Sequence, residues 1–223
     1  MVQTVVAAQH WMKWHADYED PKSSLSRRLV AVQHRLRNAL DEAADGPIRL
    51  ISLCAGQGRD VIGVLAEHPR RDDVTARLVE LDADLVAGAR QVAKRAGLRS
   101  VDVVEGDAST TSAYDGAVPA DVVMVCGVFG NISDSDLRNT VGELPHLCAP
   151  GAVVIWTRHR RPPDLTPWIR SWFTEAGFEQ VAFDTEEGVA FGVGTNRFVG
   201  EHQPLELNRR MFTFIGDGSD AYF

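Results

Sequence analysis

The 223-residue chain has no unbroken apolar run near the about 18–20 residues of a membrane span, so no membrane partner is expected. Cysteine is scarce. Cys54, Cys126 and Cys148 lack metal-type spacing, and their odd number points to reduced thiols in a cytoplasm. Residues 1–8 are mildly apolar but have no basic start, so a signal peptide is not expected. Positive charge is short: the net charge is −8, and the basic residues are nearly all arginine, read as compositional bias. A protein that grips nucleic acid through phosphates wants the opposite balance, so nucleic acid is not an expected partner. The local exception is Arg158-His159-Arg160-Arg161. No His, Cys or Asp cluster has zinc or iron spacing, and no metal is expected. Internal repeats and low-complexity linkers are missing as well.

What is present is enough apolar residue, 44%, for one domain with its own core. From residue 48 onward apolar runs alternate with helical patterns. Strands are predicted at 48–54, 76–81, 101–105, 121–126 and 152–157, and helices at 60–67, 83–96 and 166–176. Ser133 is predicted to cap a helix reaching about residue 147, with Asp136 as capping-box partner. Two closing strands, 178–183 and 210–215, have no helix between them, and 188–200 reads as an inserted hairpin. The pattern predicts an α/β, Rossmann-like fold: a mostly parallel sheet with helices on both faces and an antiparallel end. Residues 1–46 read as an N-terminal helical cap joined to a core over 47–223. In the cap Leu25, Leu29, Val32, Leu36 and Leu40 make one helix face, and Trp11, Trp14, His15 and Tyr18 make another.

The most informative segment is Ser52-Leu53-Cys54-Ala55-Gly56-Gln57-Gly58-Arg59-Asp60. A strand ends, a Gly-x-Gly turn follows and a helix opens, at the strand end where open α/β sheets bind ligands. Some two dozen residues on, a second strand ends in Glu80, a carboxylate placed to accept from ribose hydroxyls. A dinucleotide site wants a third glycine where Val61 stands. After the third strand Gly106-Asp107-Ala108 adds an acid that could accept from an adenine amine.

These segments resemble the class I S-adenosylmethionine-dependent methyltransferases over roughly residues 48–215. The stretches SLCAGQGRD and CGVFGNIS are also similar to an actinobacterial-type subgroup of such enzymes. The resemblance implies a seven-stranded sheet with a reversed last strand, S-adenosyl-L-methionine as cofactor and S-adenosyl-L-homocysteine as product. It implies Ser52, Cys54, Ala55, Gly56 and Gly58 around the methionine and ribose, Glu80 on the ribose, and Leu81, Asp107 and Ala108 around the adenine. It also implies Cys126, Gly127 and Val128 beside the methyl group. Two positions depart from the family pattern: Ser52 stands at the usual acid, and Cys54 at the first glycine. Asp60, Asp121, Asp17 or Tyr18 would then be needed to hold the cofactor's ammonium group.

Methyl transfer leaves a faint catalytic signature, because the cofactor carries the reactivity. His159 is the expected base, since its pKa lies near neutrality, with Asn131, His15 and Tyr18 as further catalytic candidates. Arg158 and Arg160 would bind a substrate anion, and Phe129, Trp11 and Trp14 would complete the substrate pocket under a closing N-terminal lid. The Asn/Asp-Pro-Pro-aromatic pattern of nucleic-acid amino-methylation is missing, so a small-molecule acceptor is expected. The rivals are a cofactor-binding module without turnover, a nicotinamide-dependent oxidoreductase, and an RNA methyltransferase using residues 158–161.

Overall fold

The central strands form where apolar residues run without alternation. In β1 (Ile48–Leu53) and β4 (Ala120–Val125) nearly every residue is buried, as for strands covered on both faces. The computed structural model describes residues 20–185 and 190–215. The other strands are β2 (Val74–Glu80), β3 (Val101–Glu105), β5 (Cys148–His159), β6 (Phe178–Asp184) and β7 (Phe191–Phe198). They make one seven-stranded sheet in the order β3-β2-β1-β4-β5-β7-β6. β1 to β5 are parallel, and β7 runs antiparallel to both neighbours. It is the seven-stranded sheet with a reversed last strand that the resemblance implies.

Helices α1 (Ser24–Glu42), α2 (Val61–Leu65) and α3 (Ala83–Arg95) cover one face, burying Leu36, Leu40, Ile62, Leu65 and Val86. Helices α4 (Asp134–Glu143) and α5 (Thr166–Glu175) cover the other, with Leu137, Val141, Ile169 and Phe173. There Trp156 stacks on Phe173 with ring centroids 5.7 Å apart, and its indole N–H donates to Asn196 Oδ1. α1 starts at a Ser23 cap and ends where Arg70 donates to the carbonyls of Leu40, Ala43, Ala44 and Gly46. Its apolar face belongs to the same core as the sheet. The predicted first helix, with Trp11, Trp14, His15 and Tyr18, lies outside the described residues. No helix among the described residues is long and apolar enough to cross a membrane.

The end of the chain departs from expectation. The reversed last strand is β7, inside the stretch read as a hairpin, while 210–215 forms only the single bridges Thr110 to Arg210 and Ile132 to Phe214. The glycines of β7 disguised it. A Cβ on Gly194 would stand 2.0 Å from the Trp156 ring, and one on Gly192 2.5 Å from Phe183, so bare backbone is required where those rings lie. In the other segment Met211 and Phe212 are both buried, which the period of a one-sided strand forbids.

Smaller differences have local causes. α4 stops at Glu143 because Pro145 begins a tighter turn. Ser133 does cap it, but the Asp136 carboxylate accepts from Thr213 N–H in the C-terminal segment, so the capping box is half made. β5 runs two residues past its predicted end and carries Arg158 and His159 into the ladder opposite Gly192 and Phe191.

Candidate active site

The carboxyl ends of β1 to β5 open on one edge of the sheet, and five segments line it. The first is the turn after β1. Cys54, Gly56 and Gly58 all have positive φ, at 52°, 56° and 64°. Alternate left-handed residues curl the backbone tightly, which explains the glycines and shows that Cys54 adopts a conformation costly for a side chain. The turn is pinned by Ala55 N–H donating to Val79 O at 2.9 Å and Gly58 N–H to Ala55 O at 2.8 Å. Gly58 has a second reason to lack a Cβ, which would meet Ile62 Cδ1 and Leu78 Cδ2 at 2.8 Å.

Glu80, at the end of β2, organises the neighbouring backbone. Its Oε2 accepts from Gly56 N–H at 2.8 Å, and its Oε1 from Leu81 N–H at 2.7 Å and Asp82 N–H at 3.0 Å. A carboxylate has about four acceptor positions. Among the described residues three are filled, which leaves one on Oε2. Beside it Leu81 is 71% exposed, an apolar side chain left in solvent.

Asp107, after β3, accepts from Ser109 N–H and Ser109 Oγ on one oxygen and from Arg210 on the other. Desolvation pushes its pKa up, but the Ser109 hydrogen bonds and the Arg210 charge outweigh it and hold the carboxyl below its ordinary value. Ala108 is buried, and its carbonyl accepts from Tyr114 Oη at 2.7 Å. Arg210 belongs to the C-terminal segment, which Met211 N–H ties to Ser109 O and Ile215 N–H ties to Asn131 O.

Ser52 is buried within β1. Asp60 caps α2 through Val61 N–H at 2.8 Å. Burial raises its pKa against the pull of that bond and of Arg28 on α1. Burial also pushes the thiols of Cys54 and Cys126 far up, Glu80 and Asp107 adding to the first and Asp60 to the second. Both are neutral thiols rather than nucleophiles.

After β4, Gly127 at φ 79° leaves open space where a Cβ would be, and its N–H donates to Thr157 Oγ1. Asn131 spends its amide N–H on Gly127 O at 2.7 Å, holding the turn and leaving Oδ1. Val128 and Phe129 are fully buried. The Phe129 ring packs against Trp156 and Phe173, so its side chain is core rather than pocket wall.

At the end of β5 the basic residues have different fates. Arg158 is buried, and its Nη1 donates to Phe129 O. His159 lies against Gly130, where a Cβ would stand 3.4 Å from its Cδ2. Burial lowers its pKa, and Arg158 and Arg161 lower it further against Asp164. Arg160 is half-exposed and paired with Asp164 at 3.1 Å. Arg28 and Arg210 are the side chains at this edge that sequence reasoning missed; neither lies near a motif. Among the described residues no three His, Cys, Asp or Glu side chains gather as a metal site.

A family model described as "Putative methyltransferase" matches residues 23–175. The chain belongs to that family. Over 120 residues it is 24% identical to the protein YnbC of Escherichia coli K12, a match covering 53% of this chain and 20% of YnbC. Among solved structures, the 1,6-didemethyltoxoflavin-N1-methyltransferase of Burkholderia thailandensis, bound to 1,6-didemethyltoxoflavin and S-adenosylhomocysteine, is 16% identical with a TM-score of 0.61. That match covers 89% of this chain and 90% of that one. The cyclase SpnF superposes with a TM-score of 0.56 at 14% identity, covering 77% of this chain and 81% of its own. At such identities the likeness is one of fold.

Proposed function

We propose that this chain transfers a methyl group from S-adenosyl-L-methionine to an oxygen, nitrogen or carbon of a small molecule. The observation that carries the reading is the line of groups along the sheet edge. A tight left-handed turn, the remaining Oε2 position of Glu80 and the charged Asp107 follow one another at adjacent strand ends. They fit the cofactor in chemistry: Glu80 offers one acceptor to a ribose hydroxyl, Leu81 an exposed apolar surface to adenine, and Asp107 an acceptor to the adenine amine. Gly127 leaves open space beside Cys126 for the methionine end, where Asp60 stands in for the acid missing at Ser52.

The bound cofactor would supply a methyl carbon made electrophilic by its sulfonium. The protein's part is orientation and proton handling. His159 is neutral near pH 7, so Nδ1 can take the proton of an acceptor O–H or N–H as that atom attacks. Asn131 Oδ1, which accepts no hydrogen bond among the described residues, would orient a polar acceptor group.

Two rivals lose ground. A dinucleotide needs a close helix N-terminus, but α2 is short and opens on the buried Val61. An RNA site needs several exposed arginines, but Arg158 is buried and Arg160 is paired, which leaves Arg161 of that patch exposed. Ser52 favours a second reading, a cofactor-binding module that performs no transfer.

Calorimetric titration with S-adenosylmethionine, S-adenosylhomocysteine and NAD tests the proposal. Binding of the first two with NAD silent supports it. A folded, ligand-free protein silent toward all three overturns it.

A further inference from the structure

Buried polar side-chain atoms in native proteins find partners, and each exception needs a reason. Among the described residues five such atoms have none: Arg77 Nε, Glu143 Oε2, Arg158 Nε, His159 Nδ1 and Thr195 Oγ1. Arg77 still donates to Asp115 O through Nη1, and Glu143 is paired with Arg209 through its other oxygen. Arg158 and His159 differ: they are consecutive residues at the carboxyl end of β5, each with an unused group of opposite kind. One is a donor and the other an acceptor in a neutral imidazole.

Arg158 is 8% exposed, and its one hydrogen bond among the described residues goes to a neutral carbonyl, Phe129 O. No carboxylate among the described residues lies within ion-pair distance of it; Asp134 and Asp164 act on it only from farther off. Two residues along, Arg160 is neutralised by Asp164. A buried cation without a counter-ion is costly unless something supplies the opposite charge. Successive side chains leave opposite faces of a strand. Arg158 and His159 therefore flank the Phe129-Gly130 backbone, one bonded to the Phe129 carbonyl and the other against Gly130.

We infer that the methyl acceptor carries a carboxylate, which Arg158 binds, and that its methylated O–H or N–H is a separate group presented to His159 Nδ1. This rests on the methyltransferase reading and adds the substrate class. In the transfer the acceptor's O–H or N–H bond breaks toward Nδ1, the acceptor atom bonds the methyl carbon, and the carbon–sulfur bond breaks with its electron pair passing to sulfur. The Arg158 contact leaves the carboxylate unconsumed. Guanidinium and carboxylate pair through two parallel hydrogen bonds, a match that a neutral amide of the same shape lacks.

The test uses isosteric probe pairs on protein saturated with S-adenosylhomocysteine: salicylate against salicylamide, and 3- and 4-hydroxybenzoate against their amides. Calorimetry should give the carboxylates an advantage of about tenfold or more, the scale of a charge-assisted bond. Arg158→Met should bring the ratio near one while the S-adenosylhomocysteine Kd stays put. Arg138→Met, at an exposed pair with Glu175, should leave the ratio alone. If Arg158→Met does not fold, Arg158→Lys, which keeps the charge but loses the fork, should reduce the ratio. No carboxylate preference in the wild type, no saturable binding by any probe, or a preference that survives at Arg158 variants overturns the inference. Failure of S-adenosylhomocysteine to bind would instead overturn the methyltransferase reading.

Discussion

Replacing Glu80 by alanine separates a cofactor contact from a structural one. The side chain is buried, and its carboxylate accepts three backbone N–H groups, from Gly56, Leu81 and Asp82. Leu81 is exposed, so its N–H and that of Asp82 can turn to water at little cost. Gly56 N–H is held inside the turn, and orphaning it should destabilise the empty protein by about 1–3 kcal/mol. The fourth acceptor position, on Oε2, is the one assigned to a ribose hydroxyl. A hydrogen bond to a charged group contributes about 1.5–3 kcal/mol, so the S-adenosylhomocysteine Kd should rise roughly 10- to 100-fold. Urea unfolding reads the first effect and calorimetry the second. The two separate in a cycle with 5′-methylthioadenosine and its 2′- and 3′-deoxy analogues. In the wild type, one deoxy compound should bind more weakly than its parent. In Glu80→Ala that difference should vanish. A folded Glu80→Ala protein with unchanged affinity would refute the ribose assignment, and an unchanged deoxy penalty would assign the hydroxyl to another residue.

Other residues give equally direct outcomes. His159 titrates below the ordinary histidine value of about 6.5, and its neutral form is the base, so kcat/KM should fall as pH drops, with a midpoint below that value. His159→Gln should lower kcat while cofactor affinity holds; an unaltered rate would move the base to His15 or Tyr18. Asp107→Asn loses an exposed pair with Arg210, so stability should change by less than about 1 kcal/mol, while S-adenosylhomocysteine affinity falls roughly tenfold. Equal affinity in the two proteins would sink the adenine assignment. Gly58→Ala places a Cβ at positive φ against Ile62 and Leu78 and should destabilise by about 2 kcal/mol or more. A urea midpoint within error of wild type would contradict the packing described.

What the sequence determined by itself is the local grammar. β3 is legible to the residue, and β1, β4 and α3 to within one at each end, because apolar runs and a helix-ending glycine such as Gly97, at φ 72°, act over a few neighbours. The turn after β1, Glu80 and Asp107 are legible for the same reason: each sits at a strand end, and strand ends are visible in the chain.

What only the tertiary structure decided depends on partners far along the chain. β7 is a strand because Trp156 and Phe183 lie over its glycines, which in isolation argue against one. Arg210 meets Asp107 across 103 residues of chain. Arg158 and Arg160 are the same residue two places apart, yet one is buried against a carbonyl and the other is paired with Asp164 in partial solvent. Sequence spells out charge and periodicity. Burial and pairing follow from which surfaces the fold brings together, and these separate a half-exposed, paired arginine from a buried one with no ion pair among the described residues.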